Sequence, residues 1–514
     1  MIPSVVIAGA HSGAGKTTVT MGLLAALRRR GLTVQSFKTG PDYIDPTFHR
    51  LITGRTCSNL DTWMMEAGTI ERLFRRAVEG AQVALIEGVM GLFDGAAGEP
   101  PGGAGSTAAL AALLQAPIVL VVDARSAAQS IAAVVYGFCR LNPALPVAGV
   151  VLNRIGSARH GRMVRQAVEQ TCRIPVLGCL PRDAVQPMPE RHLGLVSAVE
   201  KTASLETYWR SLADVIEEHL DVDLLLERMT VYAAKSSPRE GEPTGNEKNA
   251  AGKLKSPAAR VAIARDEAFH FYYEDGLRDL AERGIEWVPF RPVAGDPIPA
   301  GIDGLYLGGG YPELYLEQIV ANSAFLQELA YLHRNDMPIY AECGGFMTLC
   351  RSIRDSNGRE YPLAGLVPAT CVMGKKRRAL GYVTAEIAGD SLLGRRGDRL
   401  RGHEFHYSDA AFAPEAAPSP AFILTKTSTA GENPESRPDG YSRGALTASY
   451  FHFHFSAFPA TMDHFVDRLC GGSHNGGSLN GGSRNGDRLS AAEPTTRPAE
   501  SRQGRSVPEG GSGP

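Results

Sequence analysis

From the first residues to about position 180, short runs of consecutive apolar residues alternate with longer stretches in which apolar positions recur at helical spacing. The runs at 4–8, 33–37, 83–87, 118–123, 147–153 and 175–178 predict strands, and the stretches at 19–30 and 107–114 predict amphipathic helices. Strands that are apolar throughout and separated by helices predict a parallel sheet covered on both faces. Over about 230–259 the chain turns polar, with Pro and Gly and no apolar period, which predicts a linker. A second α/β series begins at Arg260, with strands at 261–264, 304–307 and 338–341, and extends to about 470. The rest carries the imperfect repeat GGSHNGGSLNGGSRNG and predicts a disordered tail without a catalytic role. The predicted organisation is a nucleotide-binding domain at 1–229, a linker at 230–259, a second α/β domain at 260–470 and a tail at 471–514.

Size and charge narrow the class. A chain of 514 residues exceeds one ordinary core, so two domains are expected. Lys and Arg (53) nearly cancel Asp and Glu (55), which argues against a surface built to coat nucleic acid or bind a membrane. The apolar N-terminus lacks a basic flank and runs straight into glycines, so it predicts a first strand, not a signal peptide. No apolar run approaches the roughly 18 residues that span a bilayer. Eight scattered cysteines without CxxC pairs weigh against structural zinc and a disulfide framework. Cytoplasmic location is the expectation.

The first predicted strand opens into GAHSGAGKTT, from Gly9 to Thr18, which starts a helix. Glycines there turn successive backbone N–H groups toward a phosphate at a helix N-terminus. The candidate nucleotide-binding residues are Gly13, Ala14, Gly15, Lys16, Thr17 and Thr18. Lys16 would reach the β/γ-phosphates of ATP, and the Thr17 hydroxyl would ligate Mg²⁺. Ala10 stands where the usual P-loop pattern has Gly. Gly9 lies one place earlier, as in the variant loops of dethiobiotin-synthetase-like enzymes. Acidic residues follow other strands of the same predicted sheet: Asp42 and Asp45 in KTGPDYIDP, Glu87 in LIEGVMG and Asp94 in GLFDG. Beyond the carboxyl ends of such strands, carboxylates hold the metal of ATP or orient a nucleophile; helix caps and turns are the ordinary alternative for Asp. Asn153 ends a strand where an amide can read a base or cap.

In the second half, the apolar run PIYAEC ends in Cys343 and is followed by Gly344 and Gly345. A strand-to-helix elbow exposes a nucleophile and offers the next backbone N–H, that of Gly344, to an oxyanion. The upstream LGGGYPE places Gly309 and Gly310 to supply a second donor. In SYFHFHF, His452 is the chosen base for the thiol, and His454 stands where ordinary triad glutaminases carry Glu. A dyad, or a triad completed from elsewhere, is the expectation. RGHEFHYS offers two histidines without a clear third metal ligand and reads as packing. The run from Lys375 to Arg378 reads as a solvated face, with a polyanionic substrate as the sharper alternative.

AHSGAGKTTVT, FKTGPDYIDP, IEGVMGLFDG, PERHLGL, DEAFHFYY, LGGGYPELY, YAECGGFM, RGHEFHYS and ASYFHFHF appear in order from about 5 to 456. Together they resemble the cobyrinic acid a,c-diamide synthase family of cobalamin biosynthesis. The resemblance implies an α/β fold: an N-terminal P-loop parallel-sheet domain of dethiobiotin-synthetase type and a C-terminal class I glutamine amidotransferase domain, flavodoxin-like. It implies a glutamine-hydrolysing carbon–nitrogen ligase that phosphorylates the a- and c-acetate carboxylates of a corrinoid with ATP and amidates each with ammonia released at Cys343. It gives catalytic weight to Asp42, Glu87 and Asp94; the Mg²⁺ ligands expected from the residues themselves are Thr17, Asp45 and Glu87. The implied partners are corrinoid, glutamine and ATP, with a homodimer as an expected assembly.

Rival readings share parts of this pattern. Related amidations act on hydrogenobyrinic acid, on a nickel-sirohydrochlorin, or on the four side chains amidated by cobyric acid synthases. A P-loop ATPase switch or a glutamine-sensing regulator belongs to another class. The first has no need of a Cys–His domain, and the second has no need of an intact nucleophile and base.

Overall fold

The computed structural model describes residues 2–184, 202–235, 257–414, 419–426 and 435–471. The PERHLGL block, most of the expected linker and the expected tail lie outside the described residues. Seven strands form the first sheet: β1 (Ser4–Gly9), β2 (Val34–Thr39), β3 (Ser58–Leu60), β4 (Val83–Glu87), β5 (Ile118–Asp123), β6 (Val147–Ile155) and β7 (Val176–Pro181). All pair in parallel, in the order β3-β2-β4-β1-β5-β6-β7. The two-residue strand period sorts β1 into two apolar layers: Val5 and Ile7 enter one, Val6 and Ala8 the other. β3, absent from the sequence reading, is three residues long, too short to register as a hydrophobic run.

Helices α1 (Lys16–Arg29), α2 (Asp45–Thr53) and α3 (Ala67–Ala77) cover this sheet with others. α1 packs against the helix Thr202–His219 so closely that a Cβ on Gly22 would lie 2.4 Å from Ile216 Cγ1. The following helix, Val222–Lys235, continues six residues into the segment expected to be linker. Leu225 and Met229 are buried against the sheet layer, and the helix extends past them.

The second sheet contains β8 (Ala259–Ala264), β9 (Ile285–Phe290), β10 (Gly304–Leu307) and β11 (Ile339–Glu342). β9, β8, β10, β11 and the strand Leu446–Ser449 are parallel neighbours in that order, and Tyr441–Arg443 closes the edge antiparallel. Two further sheets built mainly from residues 350–453 were not anticipated: a five-stranded antiparallel sheet and a four-stranded mixed one, in which Cys350–Arg354 and Val367–Met373 run parallel. Their strands alternate polar and apolar positions, as in Ala379–Ile387, and offer no continuous apolar run. Among the described residues, no helix is long and apolar enough to cross a membrane.

The two α/β halves meet across polar and aromatic contacts. Arg72 and Arg76 of α3 reach Asp279 on the helix Glu274–Glu282, with Arg72 Nη2 3.2 Å from a carboxylate whose side chain is 2% exposed. Burial pushes Asp279 up; the neighbouring Ser456 hydroxyl and the hydrogen bonds from both arginines outweigh it and hold the carboxyl low. Nearby, the Tyr382 hydroxyl donates to Asp61 at 2.6 Å, and its ring stacks on Trp63 at 4.7 Å. Arg76→Ala would leave Asp279 with Arg72 as its remaining cation in a buried setting. We expect a loss of roughly 2–4 kcal/mol in the urea unfolding of the full chain; an unchanged midpoint would show that the contact carries no docking energy.

Candidate active site

The nucleotide-type loop lies at the carboxyl end of β1, where Ala10 N donates to Val121 O of β5 at 3.0 Å and Leu92 N to Gly9 O at 2.8 Å. Gly13 and Gly15 hold φ of 81° and 103°, left-handed conformations that side chains resist. Gly15 caps α1, which begins at Lys16 and carries Thr17 and Thr18 in its first turn. Asn153 sits beneath the loop: its Nδ2 donates to Ala14 O at 2.9 Å and its Oδ1 accepts from Arg154 N at 2.8 Å. In this arrangement Asn153 braces the loop. Lys16 is buried and donates to Met90 O. Burial, then the charge of Lys38, draws its ammonium below the ordinary lysine range.

The carboxylates converge as the topology requires, but on a residue the sequence reading missed. Lys38, last but one in β2, lies opposite Glu87 in the register of β2 and β4. Its ammonium is 2.6 Å from Asp45, 3.0 Å from Glu87 and 3.6 Å from Asp42. Burial opposes its charge; Glu87, Asp45 and Asp42 outweigh that and raise it above the ordinary range. Glu87, fully buried, also accepts from Thr17 Oγ1 at 2.7 Å and pairs with His49 Nε2 at 2.8 Å. Burial would push Glu87 up, yet Lys38, His49 and Thr17 hold it well below the usual carboxylate range. Asp45 moves the other way, pushed up by burial and by the charge of Glu87.

Asp42 accepts from Ile44 N at 2.8 Å and Asp45 N at 3.1 Å, which makes it the turn that launches α2 as well as a neighbour of Lys38. Asp94 accepts from Gly91 N at 2.7 Å, closing its own loop beside the P-loop. Thr17, Asp42, Asp45 and Glu87 are all oxygen donors, the chemistry Mg²⁺ prefers. Among the described residues no cluster of three or more His, Cys, Asp or Glu side chains forms a metal cage. Such a set suits an Mg²⁺ whose shell is completed by phosphate oxygens and water.

In the second half, Cys343 follows β11 directly and caps the helix Gly344–Leu349 at φ 47°, ψ −102°, a strained setting for a residue with a side chain. Its N–H donates to Ser449 O at 2.7 Å, and Gly345 N donates to Gly308 O at 3.0 Å. The three chain segments are pressed together. A Cβ on Gly344 would lie 3.1 Å from Gly310 N, and one on Gly309 would lie 2.7 Å from His452 Cε1. Only glycines allow the backbone amides of Gly310 and Gly344 to share this corner with the nucleophile. Tyr272 supports the glycine strand by accepting from Gly308 N at 2.8 Å. Burial, then Glu313, pushes the Cys343 thiol up, against the backbone N–H of Gly344.

His452 meets a carboxylate from the residue preceding the nucleophile. Glu342 Oε2 is 2.9 Å from His452 Nδ1, while Glu342 Oε1 accepts from Tyr340 OH at 2.6 Å. A proton on Nδ1 leaves Nε2 as the basic nitrogen. His454 has a different role: it accepts from Ser456 N at 3.2 Å and stacks on Tyr273 at 4.7 Å. His403 stacks on His452 at 5.1 Å, and its Nε2 lies 2.9 Å from Tyr273 OH. His406 contacts Ser408 O and stacks on Tyr450, so the two histidines of RGHEFHYS face separate partners. Residues from Lys375 to Arg378 are exposed, with Arg378 paired to Asp409.

The two sites touch through Tyr43. It lies between Asp42 and Asp45 in sequence, stacks on Phe271 at 4.9 Å, meets the tilted ring of Tyr273 at 4.5 Å, and places its hydroxyl 3.4 Å from His452 Nδ1. Lys38, His49, Tyr43 and Glu342 were all missed in the sequence. For Glu342 a signal existed: a carboxylate inside the apolar run PIYAEC is costly to bury unless it has a partner.

Comparison with known proteins matches both halves. Residues 5–196 fit the CobQ/CobB/MinD/ParA nucleotide binding domain, and residues 260–460 fit the CobB/CobQ-like glutamine amidotransferase domain. A cobyrinate a,c-diamide synthase from Syntrophotalea carbinolica is 42% identical, covering 91% of this chain and 99% of its own. Proteins of the same name from Dehalococcoides mccartyi strain CBDB1 and Synechocystis are each 40% identical, covering 90% of this chain and 97% and 92% of theirs.

The buried histidine behind the site makes stability depend on pH. Burial draws His454 down to about 4, against the partial pull of Asp275 and Asp279. Folded protein therefore binds fewer protons than unfolded protein between about pH 6.5 and 4, and stability falls as pH is lowered through that window. His454→Asn keeps an acceptor where Nδ1 stands but does not titrate. It should reduce the acid-side loss by about 1–3 kcal/mol, read from urea unfolding at pH 7 and pH 4.5. Parallel curves for variant and parent would refute the assignment.

Proposed function

The chain belongs to the cobyrinate a,c-diamide synthase family, a family of glutamine-hydrolysing ligases, and from that premise we propose how its two sites make the amides. The enzyme uses ATP and glutamine to amidate cobyrinate. In the proposed route, an acetate carboxylate at ring position a or c attacks the γ-phosphorus of ATP, forming an acyl phosphate and ADP. Lys16 and the N–H groups of Gly13, Ala14 and Gly15 hold the phosphates, with Thr18 beside them in the first turn of the helix. Thr17, Glu87 and Asp45 would hold Mg²⁺, which when bound offsets charge on the phosphoryl oxygens. Asp42 and Asp94 fix the loops that shape this pocket. Lys38 keeps Glu87 ionised and ties Asp45 and Asp42 in place.

At the second site, the Cys343 thiolate attacks the amide carbon of glutamine. The N–H groups of Gly344 and of Gly309 or Gly310 steady the oxyanion. His452, turned by Glu342, takes the thiol proton and delivers it to the departing ammonia. Water then cleaves the thioester and releases glutamate. Ammonia displaces phosphate from the acyl phosphate, and the cycle repeats at the second carboxylate. The observation that best supports one coupled machine is the 40–45 loop. Its carboxylates touch Lys38, the partner of Glu87, while its Tyr43 touches His452.

With cobyrinic acid and MgATP, the parent should form a diamide from either glutamine or ammonium chloride. Cys343→Ala should do so only with ammonium chloride, as followed by product mass and ADP release. Glu342→Gln should lower glutamine hydrolysis by about 100-fold or more, because His452 loses its charged partner. Glu87→Gln should abolish amide formation from both nitrogen sources. Glutamine hydrolysis without amide formation by the parent would sink the substrate assignment.

A further inference from the structure

The turn Pro312–Leu314 follows the glycine strand and presses on the nucleophile helix: a Cβ on Gly344 would lie 2.8 Å from Pro312 Cδ. This turn carries Glu313 to the edge of the thiol site. Its Oε2 is buried and has no hydrogen-bond partner among the described residues. Burial pushes the carboxyl up to about 7, and its charge is the first electrostatic contributor that raises the Cys343 thiol. The other carboxylates acting on that thiol are already committed. Glu342 holds His452 and Tyr340, and Asp439 accepts from Tyr450 N and pairs with Arg437.

A buried carboxyl oxygen without a partner at this spot costs stability, and the carboxyl's charge works against the nucleophile. Both penalties vanish when a cation arrives beside it. Glutamine brings one: three carbons separate its amide from an α-ammonium group. We propose that Glu313 accepts the α-ammonium of glutamine and is the residue that distinguishes glutamine from other primary amides; this rests on Cys343 being the glutaminase nucleophile. Pairing satisfies the buried oxygen and removes a negative charge from the field at the thiol. The nucleophile is thus easier to ionise once the correct amide is seated. No bond is made or broken by Glu313, which acts as a binding and specificity residue.

The test compares glutamine with glutaramate, the same chain without the amino group, using full-length protein and release of ammonia. The parent should favour glutamine in kcat/KM by roughly 100-fold or more. Glu313→Gln, nearly equal in shape, should lose about that factor for glutamine while leaving glutaramate as fast as before or faster, since the charge that opposes the thiol is gone, so that discrimination collapses. A variant that slows both amides equally, or neither, overturns the proposal. The parent alone can also overturn it, without any variant, by turning over both amides equally well. If the parent hydrolyses neither amide, the glutaminase reading of Cys343 falls first, and this proposal falls with it.

Discussion

A lysine ammonium placed among three carboxylates organises this protein. Lys38 and Glu87 stand opposite each other on adjacent parallel strands, at the end of the sheet where loops gather. Neither charge is tolerable alone at that depth, because desolvation of an isolated ion far exceeds what the surrounding packing supplies. Together with Asp45 and Asp42 they form a set in which each member requires the others. The consequence reaches outward along the chain. Thr17 is tied to Glu87, which anchors the first turn of α1 and hence the phosphate-type loop. Asp42 and Asp45 are tied to Lys38, which determines where the 40–45 loop lies and so where Tyr43 projects.

Seen from the other side, the glutaminase half is completed by that projection. Its catalytic corner is built from three closely pressed backbone segments, at Gly308–Gly310, Gly344–Gly345 and the strand bearing His452. Tyr43 of the nucleotide half seals one flank through aromatic contacts with Phe271, Tyr273 and His403. A change in the carboxylate cluster and a change in the imidazole environment are therefore separated by one residue of backbone, from Asp42 to Tyr43. In packed protein, displacements of this kind do not dissipate smoothly, since neighbours have few alternative positions.

Much of this was legible before any coordinates. Buried parallel strands announce themselves as continuous apolar runs, so β1, β4 and β5 fall where the hydrophobic pattern puts them. The phosphate-type loop and the Cys343 elbow are read from glycine spacing, because both need backbone shapes that few residues adopt. The two further sheets of the second half stayed hidden, since strands such as Val367–Met373 and Ala379–Ile387 alternate buried and less buried positions and offer no continuous apolar run. Partnerships were hidden for a different reason. Glu342 and His452 are 110 positions apart, and Tyr43 and His452 are 409 apart. Only the three-dimensional path of the chain makes them neighbours. Where two residues compete for one role, as His454 and Glu342 do beside His452, sequence proximity favours the wrong partner: the nearer residue is spent on a local turn.

The ion pairs of α3 with Asp279 bear on the natural history of such enzymes. Arg72 and Arg76 are useful only opposite a carboxylate on the neighbouring half, and Asp279 is tolerable only opposite those arginines. A recombination event that exchanged one half for a distant cousin would strand charges on both sides of the seam. The two halves are thus expected to be inherited as a matched set, with their histories written in the same tree. Modularity at the level of genes is checked here by a few side chains whose charges cancel only in their native company.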